Sequence, residues 1–110
     1  MLLEFDIDTI RKGDLESFRP FFEKYTLILR RFALKYLADE DYVKDVVQDT
    51  MVRFWERRHK FYDTSAAISF LFVTTKNSIF DELRHQKVVS NYVFNYLGGG
   101  RLTERLSVLR

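Results

Sequence analysis

A basic segment followed directly by aromatic residues is the part of this sequence best suited to bind another molecule. Residues 57–60 read Arg-Arg-His-Lys, and Phe61 and Tyr62 come next. Arginine and lysine side chains neutralise phosphates, and aromatic rings stack on unpaired bases. The nearby hydroxyls of Thr64 and Ser65 add polar groups that could capture a base. The segment indicates a nucleic-acid site, but Phe61 and Tyr62 as core anchors explain the pattern equally well.

Polar residues that could read base edges follow farther along the chain. Asn77, Asp81 and Arg84 are spaced i, i+4 and i+7, so they share one face of a helix, and Lys76 lies beside them. Asparagine and arginine offer bidentate hydrogen bonds to base edges. A surface network among the same side chains is the simpler alternative, and the residues alone leave both open.

Acidic residues cluster upstream of the basic segment, around the start of a predicted helix. This acidic cluster is interrupted by Lys44 and consists of Asp39, Glu40, Asp41, Asp45 and Asp49. Two patches of opposite charge suggest two different partners. Charge by itself favours the plainer interpretation, which is chance clustering on a solvated helix surface.

Catalytic chemistry has little support in the sequence. The absence of cysteine excludes a disulfide framework, a cysteine-ligated zinc site and a thiol nucleophile. The two histidines, His59 and His85, lie beside basic residues and far apart along the chain. Asp45 and Asp49 are four positions apart and could share a divalent cation, but two carboxylates without a third ligand usually belong to a solvated face. We therefore expect a protein that is not an enzyme and has no metal or cofactor.

Length and composition predict one helical domain. The 110 residues are 46% hydrophobic and 31% charged, which is typical of a folded chain with a real core. There is one proline, and three of the four glycines are adjacent at positions 98–100. Because antiparallel folds need frequent Gly- and Pro-rich turns, an all-β fold is excluded and an all-α fold is predicted. No apolar run suits a membrane span and the N-terminus lacks signal-peptide features, so we expect a cytoplasmic location.

Apolar spacing and capping residues predict the first two helices. A short helix over residues 6–12 should end at Gly13, and Asp14 should cap the next helix. Pro20 requires either a kink or a separate turn over residues 14–19. The second helix should place an apolar stripe inward, widened by Phe21, Ile28, Ala33 and Leu37; the stripe is Phe18, Phe22, Tyr25, Leu29, Phe32 and Tyr36.

Two further helices complete a predicted bundle of three long helices and one short N-terminal helix. Asp39 or Asp41 should cap the third helix, and Thr64 or Ser65 should cap the last, which should run over residues 66–87. The inward stripe of the third helix is Val43, Val46, Val47, Thr50, Met51, Phe54 and Trp55; that of the last is Ile68, Leu71, Phe72, Thr75, Ile79 and Leu83. Phe32, Trp55 and Leu71 represent the core of the long helices. Residues 91–97 have no clear assignment.

Three motifs in order resemble region 2 of a bacterial extracytoplasmic-function sigma factor of the sigma-70 type. Residues 45–56, DVVQDTMVRFWE, are similar to the family pattern D-V-V-Q-(E/D)-x-F-x-x-x-W-E. Residues 13–18, GDLESF, resemble its G-D-x-x-A-F opening. Residues 70–84 resemble W-L-(Y/F)-x-x-x-x-N-x-x-x-D-x-x-R, with Phe70 in place of tryptophan. The resemblance covers about residues 8–87.

The resemblance implies a transcription initiation domain with core RNA polymerase and promoter DNA as partners. It implies an all-α region 2 domain over residues 1–97 and an anti-sigma factor as a further partner that such proteins can have. The adjacent glycines at positions 98–100 predict that residues 98–110 are a flexible linker or tail. The face that binds the polymerase clamp helices would comprise Asp45, Gln48, Asp49, Arg53 and Glu56. The residues that melt and read the −10 element on the non-template strand would be Arg58, Lys60, Phe61, Tyr62, Ser65, Phe70, Lys76, Asn77, Asp81 and Arg84.

Two other functions stay open at the level of sequence. One is a helical protein-interaction module of sigma-like ancestry that does not read promoters. The other is an unrelated small enzyme with a carboxylate-bound metal at Asp45 and Asp49. The enzyme would need a third carboxylate or a histidine near these two in space.

Overall fold

Residues 5–97 are described by a computed structural model and form a succession of helices. A 3-10 turn over Arg58–Lys60 lies between the third and fourth of them. The helices are α1 (Ile7–Arg11), α2 (Leu15–Ala33), α3 (Glu40–Arg57) and α4 (Thr64–Leu97). Since residues 5–97 contain no strand, the predicted all-α fold is confirmed.

Aspartates accept hydrogen bonds from the free backbone N–H groups at the helix starts. Asp6 caps α1, Asp14 caps α2 and Asp39 caps α3. Each side chain satisfies amide donors in the first turn that have no partner within the helix. The prediction for Asp14 is confirmed, and the choice between Asp39 and Asp41 falls on Asp39.

The start of α4 corrects the prediction that Thr64 or Ser65 caps it. Asp63 accepts a hydrogen bond from the Ala66 amide at 2.7 Å, and Thr64 is already the first helical residue. An aspartate with its carboxylate over the first turn is a strong acceptor, so the helix begins earlier than predicted. Its far end was also predicted too early, because α4 continues beyond residue 87 through the unassigned segment to Leu97.

Gly13 ends α1 in the left-handed conformation that the sequence predicted. Its φ is +94°, its N–H donates to the Ile10 carbonyl at 2.9 Å, and the Asp14 N–H donates to the Thr9 carbonyl at 3.1 Å. This pair of bonds is the Schellman arrangement, which satisfies carbonyls at a helix end and turns the chain sharply. The chain therefore passes from α1 to α2 through a tight turn over residues 12–14.

Pro20 lies inside α2, which is assigned as one helix from Leu15 to Ala33. A separate turn over residues 14–19 is therefore wrong. Pro20 has no N–H to donate to the Glu16 carbonyl, but both residues are exposed, so water can satisfy that carbonyl.

The buried row of α2 differs from the predicted stripe. Phe21, Tyr25, Leu29 and Ala33 are buried at a strict i, i+4 spacing, and Leu37 is buried beyond the helix end. All five were in the predicted set, Tyr25 and Leu29 in the stripe itself and the other three among the residues that widen it. The remaining members of the stripe are less buried than predicted, since Phe18, Phe22 and Phe32 are half-buried and Tyr36 is exposed. Because α2 ends at Ala33, a helical period extended to Tyr36 no longer describes the chain.

The buried sides of α3 and of the first half of α4 match the predicted stripes closely. The buried residues of α3 are Val43, Val46, Val47, Thr50, Met51 and Phe54. On α4, Ala67, Leu71, Thr75 and Ile79 are buried. Trp55 is half-buried, which makes it a poorer core position than predicted.

Two buried threonines join α3 to α4 without leaving a polar atom unsatisfied. The Thr50 hydroxyl donates to the Val46 carbonyl at 3.0 Å, and the Thr75 hydroxyl donates to the Thr50 oxygen at 3.4 Å. A buried hydroxyl without a partner would destabilise the fold. The bond back into α3 therefore allows both threonines to lie inside the core.

The chain divides into two compact units, residues 1–79 and 80–110. The helical packing described above lies in the first unit. In the described part of the second unit, Tyr92 and Tyr96 stack with ring centroids 4.4 Å apart, and both rings are exposed. The predicted linker over residues 98–110 lies outside the described residues, and one domain over residues 1–97 stays a prediction. Within residues 5–97, no helix has the length and apolar character needed to cross a membrane.

Phe21 is the appropriate test of the core. Its side chain is fully buried and packs against Tyr25 and Phe54, with ring centroids 5.0 and 5.2 Å away. We expect Phe21→Ala to lower the free energy of unfolding by about 3–5 kcal/mol, because it removes buried apolar surface and leaves a cavity. Leu27 lies on the same helix and is about half exposed, so Leu27→Ala should cost about 0.5 kcal/mol or less. Equal losses in urea unfolding would contradict the assignment of the buried row.

Candidate functional site

The outer face of α3 carries the five residues assigned to polymerase binding, and all of them are exposed. These residues are Asp45, Gln48, Asp49, Arg53 and Glu56. They point outward because the opposite side of the same helix is buried, so the helical period forces the polar residues toward solvent. The structure thus brings this predicted set together on one surface, which we call the α3 face.

Asp49 and Arg53 form an ion pair on the α3 face. Asp49 Oδ2 lies 3.0 Å from Arg53 Nε, and about half of each side chain is exposed. Such an exposed i, i+4 pair contributes little to stability. Its main effect is to orient a carboxylate and a guanidinium side by side where a partner can reach them. Within residues 5–97, no group of three or more Asp, Glu, His or Cys side chains could hold a metal ion.

An apolar groove adjoins the α3 face and was not predicted. Gln48 lies at its edge, its volume is about 220 Å³, and its apolar lining is Leu15, Phe18, Phe22, Met51, Val52 and Trp55. Leu15 and Val52 expose half or more of their surface. The one available sequence signal was Val52, an apolar residue among the polar positions of the outer side of α3.

Arg58 in the 3-10 turn is packed against the protein, unlike its neighbours. Its Nη1 donates to the Trp55 carbonyl at 2.8 Å, and its guanidinium carbon lies 4.2 Å from the centre of the Trp55 ring. Its Nη2 is only 3.2 Å from where a Cβ on Gly13 would be. Of the predicted phosphate-binding pair, therefore, Lys60 is exposed, whereas Arg58 is partly buried and joins the 3-10 turn to the α1–α2 junction.

Phe61 and Tyr62 are adjacent in sequence but have different environments. Phe61 is half-buried and packs against Phe54 and Phe70, with ring centroids 5.3 and 5.1 Å away. Tyr62 is 72% exposed. The core-anchor interpretation therefore describes Phe61 and its neighbour Phe70, and Tyr62 is the aromatic ring presented to solvent. Ser65 is exposed in the first turn of α4.

Arg11 of α1 contacts both Phe61 and Tyr62, and the sequence did not indicate it. Its Nη1 donates to the Phe61 carbonyl at 3.1 Å, its Nη2 lies 2.7 Å from Asp8 Oδ1, and its guanidinium carbon is 4.3 Å from the centre of the Tyr62 ring. Arg11 and Phe61 are 50 positions apart, so no local spacing could have indicated the contact.

The predicted base-reading residues on α4 are all exposed. Lys76 and Asn77 lie in the unit that ends at Ile79. Asp81 and Arg84 lie beyond it and form an ion pair with each other. Of the surface network that the simpler interpretation required, the structure shows the pair of Asp81 and Arg84.

The sequence of this chain matches a known protein family. Residues 21–100, which are more than half of the chain, match the family model of sigma-70 region 2. The chain belongs to the sigma-70 region 2 family. The resemblance that the three motifs indicated is therefore confirmed, and the match includes α3, the 3-10 turn and α4.

Individual relatives point to the same sigma-70 group. The chain is similar to the ECF RNA polymerase sigma factor SigL from three strains of Mycobacterium tuberculosis. Each is 34% identical over 67 residues, which is 60% of this chain and 38% of the relative. The match thus spans less than half the length of these relatives. No solved structure matches the chain.

Gly13 is expected to be necessary for the packing of Arg58. In Gly13→Ala, the side chain would have to adopt a positive φ and would approach Arg58 Nη2, so we expect a loss of about 1 kcal/mol or more of unfolding free energy. Gly13→Asn tolerates the left-handed conformation better and should lose less, which separates backbone strain from crowding. Thermal unfolding curves that coincide for Gly13→Ala and the unmodified chain would contradict this role.

Proposed function

We propose that this chain acts in transcription initiation, binding core RNA polymerase through the α3 face and holding the promoter −10 element as single-stranded DNA beside Tyr62. The observation that carries the proposal is that one helical unit of a sigma-70 region 2 protein exposes a charged helix face and, separately, a basic and aromatic segment. Two surfaces of different chemistry suit two partners. Both partners are cytoplasmic in bacteria, which accords with the expected location.

The α3 face has the properties of a protein-binding surface. Its charged groups are exposed, its backbone is held in a regular helix capped by Asp39, and the apolar groove next to Gln48 could take up an apolar side chain. Charged residues at the rim of an interface steer association and set its orientation, whereas burial in a pocket supplies most of the affinity. We therefore propose that the clamp helices of the polymerase contact the face and the groove together.

The segment after α3 has the properties of a single-strand binding surface. Lys60 supplies a positive charge, Tyr62 an exposed ring and Ser65 an exposed hydroxyl. Stacking on an aromatic ring contributes about 1–3 kcal/mol per base, which offsets the few kcal/mol needed to unstack and unpair it. Because Tyr62 can stack only on a base that has left the helix, this surface would favour open DNA.

The other residues assigned to DNA fall into three groups. Arg58, Phe61 and Phe70 make close contacts within the protein, so we propose that they hold the segment in shape and contact DNA at their exposed edges. Lys76 and Asn77 would face the DNA from α4, and Asn77 has the amide needed to recognise a base edge. Asp81 and Arg84 would act as a pair, the carboxylate orienting the guanidinium.

Charge reversal on the α3 face tests polymerase binding. We expect Asp49→Arg to weaken binding to core RNA polymerase at least tenfold, because it removes the carboxylate and places two positive charges four positions apart. The like-charge pair should cost only a few tenths of a kcal/mol in stability. Glu23→Arg changes the net charge equally at an exposed site on α2 and should leave binding intact. The measurement is a titration by surface plasmon resonance; unchanged affinity in Asp49→Arg would remove the assignment of the face.

Single-strand preference tests DNA recognition. With core polymerase present, we expect the chain to bind a subset of labelled single-stranded oligonucleotides more tightly than the matching duplexes in fluorescence anisotropy. Affinity should fall with salt, with a log–log slope of about −0.7 per neutralised phosphate. Lys60→Ala should flatten that slope without changing sequence preference, and Asn77→Ala or Ser65→Ala should reduce discrimination between sequences.

Lys35→Ala, which removes an exposed charge outside the proposed surface, is the matched control for Lys60→Ala. Equal affinity for single strands and duplexes, or no sequence preference, would contradict promoter reading. The helical interaction module would then be the better description, provided that polymerase binding through the α3 face persists.

A further inference from the structure

The exposed ring of Tyr62 is held on one of its faces by Arg11. One face of the ring lies against the guanidinium, 4.3 Å from its carbon. A cation over an aromatic face is attracted by the ring's electron density, which favours this orientation of the ring. Since 72% of Tyr62 is exposed even with Arg11 beside it, most of the ring stays open to another molecule.

Arg11 is itself held in place from two directions. Asp8, one turn earlier on α1, lies 2.7 Å from Nη2, and the Phe61 carbonyl accepts from Nη1 at 3.1 Å. The Arg11 side chain is only 18% exposed. A guanidinium removed so far from water needs such partners, and together they leave it little freedom to rotate.

Helix α1, which carries this arginine, is held at both of its ends. Although it has only five residues, Asp6 caps its start, and Gly13 ends it in the Schellman arrangement. Arg58 lies against Gly13 and ties the 3-10 turn to the same junction. Two arginines therefore connect this segment to α1. Arg11 contacts the Phe61 carbonyl and the Tyr62 ring, and Arg58 lies against Gly13.

We infer that Arg11 is a positioning residue for DNA: it orients the Tyr62 ring so that an unpaired base stacks on the ring's open face. The order of the stack is guanidinium, tyrosine ring, base. The hydrogen bond from Arg11 to the Phe61 carbonyl holds the main chain next to Tyr62. The guanidinium covers one face of the Tyr62 ring and leaves the opposite face for the base. Arg11 lies before the residues that match the family, so this role belongs to the α1 segment of this chain. The inference rests on the proposed function, and it assigns that function a supporting residue.

A purely structural role for Arg11 makes different predictions. An arginine that only fastens α1 to the rest of the fold would, when removed, lower the melting temperature and weaken every activity alike. An arginine that orients Tyr62 acts on base stacking and does so through that ring. The two roles therefore separate in the coupling between Arg11 and Tyr62, which a double-mutant cycle measures.

The test uses the 110-residue chain bound to core RNA polymerase and a labelled single-stranded oligonucleotide, chosen as the one that the unmodified chain binds best. We expect Arg11→Ala to weaken this binding about tenfold, with polymerase affinity unchanged. Arg11→Lys keeps the charge but lacks the planar fork, so it should lose nearly as much. Tyr62→Ala should weaken binding similarly, and Arg11→Ala added to Tyr62→Ala should have little further effect. Lys12→Ala, which removes a neighbouring exposed charge, is the matched control and should retain affinity.

Independent, multiplicative losses in the cycle, or parallel losses of polymerase and DNA affinity, would overturn the positioning role. If Arg11→Ala does not fold, the cycle is measured with Arg11→Lys, whose folding is checked by thermal unfolding. An unmodified chain that shows no preference for single strands would refute the proposed function and this inference with it. A preference in the unmodified chain, together with single-strand affinity that is unchanged in both Arg11 variants, would refute this inference alone.

Discussion

The packing of Phe54 is the interaction on which the rest of the first unit depends. This fully buried ring contacts Phe18 and Phe21 of α2, Phe61 of the segment after α3, and Phe70 of α4. One side chain near the end of α3 therefore sets the positions of three other parts of the chain. Aromatic rings bury large areas and pack with defined geometry, so a cluster of this kind gives a small domain both stability and a unique arrangement.

The position of Phe54 also links the two proposed binding surfaces. The helical period that turns Phe54 inward turns Asp49, Arg53 and Glu56 outward, because residues on opposite sides of one helix cannot share an environment. Phe61, stacked on Phe54, keeps the following Tyr62 at the surface. The two proposed binding surfaces are therefore built on one buried core, in which Phe54 contacts both α2 and the segment after α3.

Two arginines also contact the segment after α3, which is the one proposed to bind DNA. Arg58 lies between Trp55 and the α1–α2 junction, and Arg11 reaches from α1 to the Phe61 carbonyl and the Tyr62 ring. Arginine suits both places, since its planar guanidinium donates hydrogen bonds at its edge while its face packs on an aromatic ring. Arg58 and Lys60 thus differ in their environments: Arg58 packs within the fold, whereas Lys60 is exposed.

Local rules were sufficient for much of this protein. The caps at Asp14 and Asp39, the left-handed Gly13, and the buried and exposed sides of α3 all follow from side-chain chemistry and spacing within one or two turns. The same rules failed where an alternative local choice was nearly as good. They favoured Thr64 or Ser65 over Asp63, and they extended the α2 stripe to Tyr36 past the end of the helix.

Only the tertiary structure decided which members of the predicted DNA surface are presented. The sequence does not distinguish Phe61 from Tyr62, but in the structure Phe61 packs against Phe54 and Phe70. Nor does it distinguish Arg58 from Lys60, but Arg58 packs against Trp55 and Gly13. The contact of Arg11 with Phe61 joins residues 50 positions apart. By itself the sequence determined the all-α class, the polar face of α3 and the family, because these depend on residues close together along the chain. Side-chain roles in the segment after α3 depend on which distant residues meet there, and only packing of the whole unit determines that.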